Sequence, residues 1–200
     1  MRQYGADLRT AYALLIVALG MALPCLAQEA RHGDEMPVTA GAKAPAFGPL
    51  PVFNAKEAGQ SQWVFDGISR PGANCWLISF SASWCPGCMN ELPLLAELHR
   101  QFGDKGLEVV TVNLDPETGN PGRLLSLLKS KGIRHPVVRD PDQRVLRKFQ
   151  GRMVSLPAVY LVGPDGRVAL FHEGFDPEVG PLLRASIHRM LPAPRAEGTP

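Results

Sequence analysis

Cys85-Pro86-Gly87-Cys88 is the part of this sequence best equipped for chemistry, because two thiols separated by two residues can close into a small disulfide ring and open again. At a helix start, free backbone N–H groups and the positive end of the helix dipole stabilise a thiolate on the first cysteine. Cys85 is then the attacking nucleophile. Cys88, one turn deeper, attacks the resulting mixed disulfide and releases the product. Two electrons move per cycle, and the chemistry needs no bound cofactor. The same spacing is half of a zinc site, which would require two more ligands. Only Cys25 and Cys75 remain, and His32, His99, His135, His172 and His188 are scattered without ligand spacing, so no metal is expected. A purely structural disulfide is disfavoured, because so small a ring restrains little unfolded-chain entropy. Cys75 lies ten residues before Cys85 and is expected at the opposite end of an intervening strand as a buried apolar side chain.

The surrounding pattern supplies the strand and the helix. Residues 76–81 form a short apolar run of strand length leading straight into Trp84-Cys85. Met89, Leu92, Leu95, Ala96 and Phe102 then recur at helical spacing up to Gly103, with Pro93 a candidate kink. Residues 107–114 read as a central strand rich in β-branched side chains. Asn120 as cap and Pro121 as first helical residue open a helix to Gly132, followed by a strand at 136–139, which completes a βαβ unit. A short helix is expected over 143–149. Strands at 158–162 and 167–172 flank the turn Gly163-Pro164-Asp165-Gly166 as an antiparallel hairpin. Asp176 and Pro177 are expected to begin a last helix ending near Leu191.

The 200-residue chain is 45% hydrophobic and 20% charged, ordinary values for one globular domain. Its first 27 residues depart from that average, since Arg2 and Arg9 precede an uncharged run from Ala11 to Ala27. Residues 1–27 therefore read as a secretory signal or an N-terminal membrane anchor. Removing them takes away Arg2, Arg9 and Asp7 and moves the formal charge from +2 to +1, which gives no electrostatic case for nucleic acid. Residues 28–43 read as a linker into an irregular arm that runs to about Pro51, residues 44–191 as the domain, and residues 192–200 as a disordered tail.

Trp84-Cys85-Pro86-Gly87-Cys88 followed by Glu91 and Pro93, and later Leu156-Pro157, resembles thioredoxin-like thiol-disulfide oxidoreductases of the TlpA and ResA type, within the redoxin superfamily. Ala44-Pro45-Ala46-Phe47 is similar to the entry motif of that family, and the stretch from Val159 to Val168 to its late hairpin. The likeness spans residues 44–190. It implies an α/β thioredoxin fold with a central mixed sheet flanked by helices, an N-terminal extension and an inserted βα segment. It further implies Cys85 and Cys88 as the redox disulfide and Pro157 as a cis-proline facing it. Trp84, Pro86, Leu156 and Pro157 become substrate-binding positions, and Glu91 a carboxylate that relays the proton of the resolving thiol. Two departures stand out. Ser79 occupies the place, six residues before Cys85, where thioredoxin itself has a buried Asp, and Pro86-Gly87 differs from the dipeptide of many relatives.

The resemblance implies an extracytoplasmic reductase of exported proteins, such as apocytochrome c or copper-assembly proteins, recharged by a membrane thiol-transporting reductase. Two other functions compete. A peroxiredoxin-like peroxidase would want a Thr three residues before Cys85, where Ala82 stands, and a copper-binding chaperone would usually space its cysteines by three and add a histidine.

Overall fold

The computed structural model describes residues 37–66 and 73–192. The signal or anchor expected over 1–27 lies outside the described residues, as does the tail from residue 193 onward. Among the described residues, no helix is long and apolar enough to cross a membrane.

Five strands form the central sheet: β3 (Cys75–Ser81), β4 (Leu107–Asn113), β5 (Val137–Arg139), β6 (Ala158–Val162) and β7 (Val168–Glu173). Their order is β5-β4-β3-β6-β7. β3, β4 and β5 run parallel, while β6 and β7 are antiparallel to their neighbours, which makes the sheet mixed. Every residue of β3 is buried, as expected of a central strand covered on both faces. Helix α2 (Pro86–Phe102) connects β3 to β4, α3 (Pro121–Ser130) connects β4 to β5, and α4 (Arg144–Gln150) leads toward β6. Against one sheet face pack Leu92, Leu95 and Leu98 of α2, Leu124 and Leu128 of α3, and Val179, Leu183 and Ile187 of the last helix, α5 (Val179–Met190). The other face holds Val145, Leu146 and Phe149 of α4 together with the aromatic residues of the N-terminal arm.

That arm differs from expectation. β1 (Phe47–Pro51) pairs antiparallel with β2 (Gln62–Phe65) across a short helix α1 (Ala55–Ala58), so the segment expected to be irregular holds a small sheet of its own. Its pairing is non-local and its register is broken between Phe47 and Leu50 by Gly48, whose φ of 97° no strand pattern anticipates. Phe47, Trp63 and Phe65 bury their rings against one another and against Phe149 and Trp76. Burying each such ring contributes about 1.5–3 kcal/mol. Upstream, the Val38 and Gly41 amides donate to the carbonyls of Phe149 and Val168.

The last helix also starts later than expected. The Asp176 carboxylate accepts the Glu178 amide at 2.9 Å in a tight turn, and the helix opens only at Val179. Asp176 is committed to a local side-chain turn, the competing use of a capping residue.

Candidate active site

β3 delivers the cysteine pair, and a short turn converts strand into helix. The Leu114 amide bonds the Ser81 carbonyl, the Ser83 amide donates to the Asp115 carboxylate at 2.7 Å, and the Cys85 amide donates to Ala82 at 3.1 Å. The turn is thus tied to the end of β4. Pro86 then takes the first helical position, where its missing N–H costs nothing.

Cys85 and Cys88 are joined in a disulfide, with Cα atoms 5.3 Å apart. Cys85 is the N-cap of α2, and its Sγ accepts the Cys88 backbone N–H at 3.1 Å. The 17-residue helix carries no acidic residue in its first turn to offset the positive end of its dipole. Cys85 is 7% exposed while Cys88 is fully buried, so a partner reaches the first sulfur and not the second.

Behind Cys88 on the same helix face lies Glu91, only 2% exposed. The Ser79 hydroxyl donates to Glu91 Oε2 at 2.9 Å. Burial pushes the Glu91 pKa up to about 7, while the Ser79 hydrogen bond pulls it down. The carboxyl therefore changes protonation near neutral pH, on the helix that carries Cys88 one turn earlier.

Pro157 is buried, and the Leu156–Pro157 peptide bond is cis. It packs against the cysteine loop: a Cβ added to Gly87 would lie 3.1 Å from Pro157 Cδ and 3.2 Å from Phe175 Cβ. Only the absence of a side chain lets the loop approach so closely. Trp84 is 62% exposed beside the pair, Pro86 is exposed and Leu156 half-buried. The structure so brings together the cysteine loop and Pro157, with Trp84 and Pro86 at its surface and Leu156 preceding the proline. Trp84 also borders a cleft of about 240 Å³ with Asp115, Arg123 and Arg139. A larger cleft of about 750 Å³ is lined by the far half of α2, including Pro93, His99 and Arg100, and does not touch the disulfide.

Phe175, 42% exposed, was not legible in the sequence as a site residue. It stands in a loop with no periodicity, and its place follows from strand register alone. Ala158 pairs with Glu173 and the Gly174 amide donates to the Pro157 carbonyl, which sets the next residue over the cysteine loop. Cys75 lies at the start of β3 as a free, buried thiol whose pKa burial pushes up to about 12.

The family model of AhpC/TSA matches residues 42–171, most of the described domain. The chain belongs to the AhpC/TSA family. Within reach of this family it is 29% identical over 155 residues to the thiol-disulfide oxidoreductase ResA of Bacillus subtilis, covering 78% of this chain and 76% of that protein. It is 30% identical over 154 residues to the thiol:disulfide interchange protein DsbE homolog of Paracoccus denitrificans, covering 76% and 73%. A crystal structure of a DsbE-type thiol:disulfide interchange protein from Chlorobium tepidum superposes with a TM-score of 0.63 at 27% identity, over 78% of this chain and 99% of that one. With the Cys85–Cys88 disulfide in a thioredoxin fold, the chain is a thiol-disulfide oxidoreductase.

Proposed function

We propose that this oxidoreductase works outside the cytoplasm and reduces disulfides of exported proteins, with Cys85 attacking, Cys88 resolving and Glu91 accepting the proton that Cys88 must lose. The observation that carries the reading is the layering of α2: an approachable sulfur at the helix N-terminus, then a buried sulfur, then a buried carboxyl that titrates near neutrality.

In the first step the Cys85 thiolate attacks one sulfur of a substrate disulfide. A bond forms between Cys85 and that sulfur, and the other substrate sulfur leaves as a thiolate. In the second, Cys88 gives its proton to the Glu91 carboxylate and attacks Cys85 Sγ. The Cys85–Cys88 disulfide forms and the second substrate sulfur leaves, so the enzyme has given two electrons and the substrate is fully reduced. An extended substrate segment lies along Trp84, Pro86, Leu156 and Pro157, with Phe175 as a further apolar wall.

Residues 1–27 serve in this reading as the export signal or anchor, 28–43 as the linker, 44–191 as the working domain and 192–200 as a tail. Substrates are exported proteins such as apocytochrome c or copper-assembly proteins, and a membrane thiol-transporting reductase restores the dithiol. Two features support this: the charge and hydropathy pattern of the leader, and kinship with relatives named for disulfide interchange.

Trapping tests the order of steps. Expressed in an exporting bacterium, Cys88→Ser is expected to hold discrete partners that reductant releases and that Cys85→Ser does not hold. Equal adducts from both variants would sink the assignment. The potential of the Cys85/Cys88 couple tests direction: a value near about −270 mV fits a reductase, and one near about −120 mV makes the protein an oxidant.

A further inference from the structure

We propose that Ser79 is the positioning residue for Glu91: its hydroxyl holds the carboxylate ionised and in place for the Cys88 proton. The proposal rests on the role given to Glu91 above.

Ser79 interrupts an otherwise apolar stretch of β3 and is fully buried, so its hydroxyl needs a partner inside the protein. That partner is the Glu91 carboxylate, 2.9 Å away and twelve residues along the chain. The bond bridges the sheet and the helix that carries both cysteines. Without it, a side chain with three rotatable bonds would have to find its orientation in an apolar layer made by Leu77, Leu92, Leu95 and Val159.

The setting makes the donor consequential. Across the sheet, Ser79 stands in register with Thr111 of β4 and Val159 of β6, and Val159 with His172 of β7. In the same row of the sheet as the Ser79 that bonds Glu91 stand Thr111 of β4 and, two strands away, His172 of β7, and Cys88 lies one turn before Glu91 on the helix. α5 brings Val179 and Leu183 to this face, which do not titrate. The Thr111 hydroxyl is already engaged with His135 at 2.9 Å. The Ser79 hydroxyl is the donor that favours the charged carboxylate. A hydrogen bond to a charged group contributes enough to move a pKa by about one unit.

The test reads the second step alone. Reduced protein is mixed with dithiobis(nitrobenzoate). Attack by Cys85 releases one coloured thiolate, and attack of Cys88 on the mixed disulfide releases the second. In the parent protein the second rate is expected to rise with pH through about 7. In Ser79→Ala that midpoint should move up by about one unit, making the step about five-fold slower at pH 7 and equal at the alkaline plateau. Ser79→Val, which removes the donor but suits a strand, should behave as Ala does and carries the test if Ala does not fold. Ser79→Thr should restore the midpoint. Glu91→Gln should abolish the inflection, and adding Ser79→Ala to it should change nothing further.

A midpoint unmoved in Ser79→Ala and Ser79→Val, a slowing by one factor at every pH, or an added effect in the double variant would overturn the assignment while leaving Glu91 its role. An inflection that survives in Glu91→Gln would instead overturn the reading of Glu91 itself.

Discussion

The two ends of β3 each carry a cysteine, and the same strand makes them opposites. Cys75 opens the strand with apolar neighbours such as Leu107, and burial pushes its thiol up to about 12. Cys85 follows the strand's other end, where its sulfur caps a helix and accepts a backbone N–H. Cys85 keeps 7% of its surface exposed and Cys75 none, but so small an exposure sets access rather than acidity. The difference is whether the surroundings offer the charged form a dipole and a donor. Proximity in sequence says little about reactivity when a strand carries one thiol to a helix start and leaves the other at its root.

The largest expected effect probes this contrast. In the reduced protein at neutral pH, Cys85 should be alkylated by iodoacetamide at least about a thousand-fold faster than Cys75, whose thiol is almost wholly protonated there. Mass spectrometry of quenched samples would show it, and early labelling of Cys75 would erase the distinction.

A sharper form of the comparison uses two buried titratable groups on the same sheet face. Glu91 is raised from 4.5 to about 7, so the folded state holds its proton more tightly than the unfolded chain does. Stability from this group is full below 4.5 and is lost as pH rises through 7. His135 is lowered from 6.5 to about 3 by burial and by the neighbouring His99, so its contribution is present above 6.5 and lost as pH falls toward 3. Glu91→Gln should therefore be more stable than the parent by about 3 kcal/mol at pH 8 and no more stable at pH 4, as denaturant melts would report. His135→Gln should flatten the acid limb and leave the alkaline one alone.

The smallest effect concerns fit. Gly87→Ala places a Cβ 3.1 Å from Pro157 and 3.2 Å from Phe175, so these neighbours must give by a few tenths of an ångström. The expected result is a few-fold rise in KM for a protein disulfide with little change toward dithiobis(nitrobenzoate), which does not need the groove. An equal loss on both substrates would place the damage in the cysteine loop itself.

Much of this was legible in the residues. The apolar run before Trp84, the helical spacing after Cys88 and the turn Gly163-Pro164-Asp165-Gly166 are local signals, and the structure forms the expected strand, helix and hairpin there. What stayed hidden was non-local. Ser79 reads only as a departure from the buried Asp of thioredoxin until the helix folds over the sheet and supplies Glu91. Phe175 gains its place from the register of β6 and β7, and the β1–β2 pair depends on partners about fifteen residues apart around a left-handed glycine. A capping signal also misled, since Asp176 serves a turn before the helix.

The N-terminal arm does more than cover a sheet face. β5 is only three residues long and lies at the sheet's margin, where a bare strand offers unpaired donors and acceptors to any other chain. Val52 bridges to Val138, the Phe53 amide donates to the Val137 carbonyl, and the Asn54 side chain both accepts from the Val137 amide and donates to the His135 carbonyl. If substrates are extended polypeptides, as proposed above, this margin would be a hazard, because it could recruit them away from the sulfur. Sealing it with the arm would leave such strands only the proposed groove beside Pro157, and would make the arm a guard against adhesion as well as a piece of the core.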